Sequence, residues 1–81
     1  MKEIPALVDG DALRAPAPGW FRRLVEPGRE LAPGSTICLL EVMKTFHRVT
    51  YSGDRVRVKQ VLVTDGADVN AGEPLLALEP V

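Results

Sequence analysis

Apolar residues along this chain come in short runs, and helical spacing is poor throughout. Thr36 to Val42 is an apolar run of strand length, and Arg55 to Val63 alternates valines with polar residues. Leu75-Leu76-Ala77-Leu78 forms a last short run. Glycine and proline fall between and around these runs, at Pro16, Pro18, Gly19, Pro27, Gly28, Pro33, Gly34, Gly53, Gly66, Gly72 and Pro74. Few windows free of them are long enough for a stable helix. Short strands punctuated by turn residues predict an all-β domain, a sandwich or small barrel.

The runs also repeat. Shifted by 38 residues, Val25 to Gly34 lies on Val63 to Gly72 without a gap. Val25 meets Val63, Gly28 meets Gly66, Leu31 meets Val69 and Gly34 meets Gly72, and further on Leu40-Glu41 meets Leu78-Glu79. Each copy reads as strand, glycine corner, one apolar anchor, second glycine corner, strand, with the glycines providing positive φ or close approach at the corners. Neither half buries an apolar face alone, so the two are expected to pack about a pseudo-twofold axis.

The segment joining the halves is therefore special. Leu40, Val42, Phe46 and Val49 bracket the short polar pair Lys44-Thr45, which predicts a β-hairpin with Lys44 at or beside its tip. The turn has neither Asn-Gly nor Gly-Gly, the pairs that two-residue hairpin loops favour. On spacing alone Lys44 reads as a solvated charge, as a lysine on a turn usually is, and the functional reading comes second.

Composition narrows the setting. At 81 residues the chain makes one domain, too small for a deep catalytic cleft, and residues 1–10 read as a short N-terminal extension to a domain at 11–81. Ten basic against eleven acidic residues leave a formal charge of -1, which gives no reason to expect nucleic acid or an anionic membrane as partner. The single cysteine, Cys38, excludes an internal disulfide and a Cys-rich zinc site, and its apolar neighbours mark it as a small buried hydrophobe. With neither a signal-peptide pattern nor an apolar run of membrane-spanning length, a cytoplasmic location is the expectation. His47, the only histidine, has no carboxylate or cysteine beside it to suggest a triad or metal set, and is expected as an exposed strand residue. Trp20 and Phe21 are expected in the core or packed on a hairpin. Arg22, Arg23, Arg55, Arg57 and Lys59 are expected on solvated strand faces. Nothing here makes a nucleophile–base constellation, so the chain is not expected to be an enzyme in its own right.

The string Glu41-Val42-Met43-Lys44 resembles the E-A-M-K or E-V-M-K attachment motif of biotinyl domains in biotin-dependent carboxylases. Ala15-Pro16-Ala17-Pro18-Gly19-Trp20-Phe21 is similar to that family's A-P-M-P-G-x-F first strand, and Val63 to Leu75 to its V-x-x-G-x-x-V-x-x-G-x-x-L ending. The resemblance runs over residues 12 to 79 and places the motif between the two halves of the repeat. It implies a flattened barrel, or barrel-sandwich hybrid, of two four-stranded antiparallel sheets, with both termini at one end and the lysine hairpin at the other.

It also implies biotin covalently held on Lys44, with Met43, Thr45 and Glu41 as flanking recognition residues. The implied partners are a biotin protein ligase, a biotin carboxylase and a carboxyltransferase subunit, between which the carrier shuttles carboxybiotin. Lysine amines are protonated at neutral pH, so modification requires a ligase that delivers an activated acyl group. The chemistry would reside in the cofactor, not the domain. The chain departs from the family at Thr45, where many members have Met, at Val42 in place of Ala, and at Gly53, which comes slightly early. Phe21 to Val25 is too short for the extra "thumb" of bacterial acetyl-CoA carboxylase carriers, and about ten residues precede the expected first strand. A lipoyl carrier on the same fold is the alternative, although such domains usually show D-K-A at the lysine. An unmodified β-barrel adaptor is a third reading.

Overall fold

The computed structural model describes residues 1–81 and contains ten strands and no helix. In chain order these are β1 (Lys2–Pro5), β2 (Leu7–Asp9), β3 (Ala12–Arg14), β4 (Gly19–Arg23) and β5 (Glu30–Leu31), then β6 (Thr36–Val42), β7 (Thr45–Thr50), β8 (Val56–Val61), β9 (Asp68–Val69) and β10 (Pro74–Glu79). They form two five-stranded sheets, ordered β1-β7-β6-β4-β9 and β2-β3-β10-β8-β5. The body measures 35 × 22 × 19 Å. All-β architecture in two sheets agrees with the sequence, but each sheet has one strand more than the expected four.

The extra strands come from residues expected to lie before the first strand. β1 runs parallel to β7, with Lys2 level with His47 and Pro5 with Thr50. Ala6 is buried and donates its N–H to the Thr50 carbonyl, and the chain then crosses to the second sheet as β2, antiparallel to β3. Polar Lys2-Glu3 and a proline do not read as a strand, but Pro5 suits an edge, where its missing N–H is not needed. Glu3 pairs with Arg48 of β7 across 3.4 Å.

The pseudo-twofold appears in the hydrogen bonds themselves. Leu24 donates to Ile37 O as Leu62 does to Leu75 O, and Ser35 to Ala32 O as Glu73 does to Asn70 O. Even side-chain caps repeat: Ala32 N–H donates to Ser35 Oγ and Asn70 N–H to Glu73 Oε1. The register slips between Thr36 and Cys38 and again between Pro74 and Leu76, positions 38 apart. The corner glycines hold φ of 94° and 89° at Gly28 and Gly66, a region L-residues enter at a cost. One asymmetry breaks the match. β8 carries an extra residue at Lys59, between the partners of Ala77 and Leu78, that β4 lacks.

Between the sheets lies one core with no buried charged side chain, including Leu13, Phe21, Leu31, Ile37, Leu40, Val58, Val69, Leu75 and Leu76. The anchors paired by the repeat, Leu31 and Val69, are both in it. Full burial of each such side chain is worth about 1.5–3 kcal/mol.

Candidate functional site

β6 and β7 pair from Thr36↔Thr50 to Val42↔Thr45, which leaves Met43 and Lys44 as a two-residue loop. Both have positive φ, 49° and 64°. That is the backbone of a type I′ turn, whose twist matches the twist of the flanking strands. The expected polar pair Lys44-Thr45 at the tip is thus corrected by one residue. Thr45 is the first residue of β7, and Met43 shares the loop with Lys44. Apolar patterning ends the strand at Val42 and singles out Lys44-Thr45 as the polar pair, because it carries no information about φ. Asn or Gly would occupy these two positions without strain; Met and Lys do so at a cost.

The loop side chains are free. Met43 is 93% exposed, and Lys44 is exposed and enters none of the chain's ion pairs or side-chain hydrogen bonds. Its amine is therefore open to an acylating enzyme without local unfolding. Such an accessible, unpaired lysine amine fits covalent attachment of a carboxylic acid cofactor. No group of His, Cys, Asp and Glu is arranged to hold a metal ion.

Behind the loop, in-register pairs Asp68↔Trp20, Trp20↔Glu41 and Glu41↔Phe46 lie across β9, β4, β6 and β7. Paired residues share a sheet face, and this row is the outer one, since the next row, Phe21↔Leu40, is buried. Glu41 is half-buried, and the rings of Trp20 and Phe46 meet edge to face with centroids 6.2 Å apart at 71°. Trp20 therefore packs on the hairpin and Phe21 in the core, as expected. Phe46 drew no functional reading from the sequence, although it is two residues past the lysine, on the face opposite Val49.

Two further residues hold the hairpin. Gly19 crosses so close to β6 that a Cβ there would sit 2.5 Å from the Glu41 carbonyl oxygen, which is the physical reason for a glycine in the A-P-A-P-G segment. His47 is not the exposed residue expected. It pairs with Leu40, faces inward, is half-buried, and holds Nδ1 out of solvent with no hydrogen-bond partner. Period-two alternation from buried Val49 was the signal for this. Cys38 is buried as expected, and its thiol pKa is pushed up to about 12 by burial, which leaves it unreactive.

The ends of the molecule also differ from expectation. The C-terminal end of β10 lies with Arg57 and Ala12, away from the hairpin. β1, however, begins beside His47, so the start of the chain is at the lysine end. The termini do not share one end.

The family model described as "Biotin-requiring enzyme", of the biotin/lipoyl type, matches residues 11–78. The biotin carboxyl carrier protein of acetyl-CoA carboxylase from Nostoc sp. is 33% identical over 82 residues, covering 99% of this chain and 43% of that protein. Its counterpart from Haemophilus influenzae is 32% identical over 80 residues, covering 89% of this chain and 51% of that protein. A solved structure of a single-chain, multi-domain long-chain acyl-CoA carboxylase superposes with a TM-score of 0.79 at 33% identity, over 96% of this chain and 8% of that one. The chain thus spans about half or less of the length of each.

Proposed function

The chain belongs to the biotin/lipoyl attachment family of biotin-requiring enzymes, and from that premise we propose that it carries biotin on Lys44 for a carboxylase. The observation that carries this reading is an exposed, unpaired lysine on a strained two-residue turn between pseudo-symmetric halves. Loading is an acyl transfer. The neutral amine of Lys44 attacks the activated carboxyl carbon, a C–N bond forms, the activating group leaves with its bonding electrons, and the amine loses a proton. A ligase supplies the activated acyl group, and the exposed turn lets it reach the amine.

Bound there, biotin supplies a ureido nitrogen that takes up and releases CO₂. The chain's residues do the rest by holding the arm at the end of the barrel. β6 and β7 fix the turn, Gly19 lets β4 close on Glu41, and Met43 offers the ligase an exposed flexible hydrophobe. Glu41 and Thr45 flank the lysine as recognition residues. The domain breaks no bond of the carboxylation itself, and its partners are a biotin carboxylase and a carboxyltransferase. The relatives' names, acetyl-CoA carboxylase and long-chain acyl-CoA carboxylase, support an acyl-CoA as the final acceptor.

The test is coexpression with a biotin ligase, followed by intact mass and streptavidin capture, with Lys44→Arg as control. One biotin is expected on the parent and none on the variant. An unlabelled parent, or an equally labelled variant, refutes the assignment.

A further inference from the structure

The two halves differ where their symmetry makes a difference informative. In the second sheet, away from the lysine, Arg57 pairs in register with Glu30 on one side and Glu79 on the other. Both carboxylates are neutralised, Glu79 by Arg57 at 3.9 Å and Glu30 by Arg55 at 2.7 Å. The equivalent row beside the lysine hairpin is Asp68, Trp20 and Glu41, since Glu30 and Glu79 lie 38 residues from Asp68 and Glu41. Tryptophan stands in the arginine's place. Neither Asp68 nor Glu41 enters an ion pair or accepts a side-chain hydrogen bond. Phe46, 37% exposed, extends the row to β7 and meets Trp20 edge to face.

The half that holds the candidate lysine has thus exchanged a neutralised charge row for one in which two aromatic residues alternate with two free carboxylates. Such a surface suits a ligand with an apolar body and N–H donors, because carboxylates only accept hydrogen bonds. Phe46 is two residues beyond Lys44, about 7 Å along the strand, and the lysyl-valeryl arm is longer than that. A tethered ligand also meets the surface at high effective concentration, so weak contacts suffice.

Resting on the attachment reading, we infer that Trp20, Phe46 and Glu41 form a resting site for the arm of Lys44. The valeryl chain and thiophane ring lie against the two aromatic rings, and the ureido N–H groups donate to Glu41. The arm is then parked on the outer face of its own barrel between visits to the partner enzymes, without a thumb. Its release is the step a partner must drive.

Trp20 is the only tryptophan, so its fluorescence and its indole N–H resonance report on the site directly. The experiment compares unloaded chain with chain shown by intact mass to carry one biotin. Loading is expected to blue-shift the Trp20 emission and to move its indole resonance, and Phe46→Ala is expected to abolish most of both changes. Capture of the loaded Phe46→Ala chain by avidin should be roughly fivefold faster, the factor one aromatic contact provides. Lys44→Gln, which removes the charge but adds no arm, should leave the indole resonance in place. A fully loaded chain whose Trp20 signals coincide with those of the unloaded chain overturns the resting site and leaves the carrier reading intact. An equal shift in Lys44→Gln overturns it as well. Failure to add the biotin mass overturns the carrier reading, and the resting site with it.

Discussion

Replacing Met43-Lys44 with Asn-Gly should make the domain more stable while removing its proposed function. Both residues sit at positive φ, in a turn that Asn-Gly adopts with little strain. Each L-residue held in the left-handed region costs about 1–2 kcal/mol. Asn and Gly relieve most of that, while the added freedom of glycine in the unfolded chain gives back about 0.4–1 kcal/mol. Neither native side chain loses packing, since both are exposed. The net gain is about 1–2 kcal/mol, which raises Tm by roughly 4–15 °C for a domain of this size. Thermal and urea unfolding of unloaded protein measure it, with an unchanged urea m-value as the check that both chains unfold alike. Met43→Gly keeps Lys44 and should yield about half the gain, with biotin loading slowed by loss of the hydrophobe the ligase grips, and Met43→Ala should yield no gain. An unchanged or lower Tm for the double variant would show that the turn holds no strain.

Gly19→Ala should act in the opposite sense, because its Cβ meets backbone rather than a movable side chain. Overpacking of that kind costs about 1–3 kcal/mol. Loading by a ligase should slow along with the fall in Tm, whereas Gly28→Ala, with open space around it, should lower stability without slowing loading. A Gly19→Ala chain that melts with the parent refutes the close approach. Cys38 predicts an alkaline limit. Its thiol ionises near 9.0 when unfolded and at about 12 when folded, so above pH 9 the unfolded state sheds a proton that the native state keeps. Stability from this group is complete below that pH and falls by about 1.4 kcal/mol per unit as pH rises toward 12. Urea titrations of parent and Cys38→Val from pH 8 to about 10.5 should diverge with that slope; parallel curves would refute it.

How far the sequence could be read follows from what each signal encodes. Glycine corners and the anchors Leu31 and Val69 are set by local sterics and burial, so the offset of 38 makes the twofold legible in the sequence. The pattern places Lys44 on the right hairpin but pairs it with Thr45 rather than Met43 at the tip, because hydrophobicity is blind to backbone dihedrals. β1 went unseen because its partner, β7, is distant in sequence and its composition is that of an edge. The outer aromatic row was illegible for a similar reason: Trp20, Glu41 and Phe46 meet only through strand register, and register includes a bulge at Ile37 that alternation does not show.

The course of β1 has a practical side. It starts level with the attachment hairpin, while β10 ends at the opposite end of the barrel. A polypeptide fused ahead of Met1 would emerge next to Lys44 and crowd the ligase. A fusion behind Val81 would leave that approach clear. On a sensor surface, coupling through the C-terminal side would turn the loaded lysine outward toward an incoming carboxylase, and coupling through the other side would press it against the support.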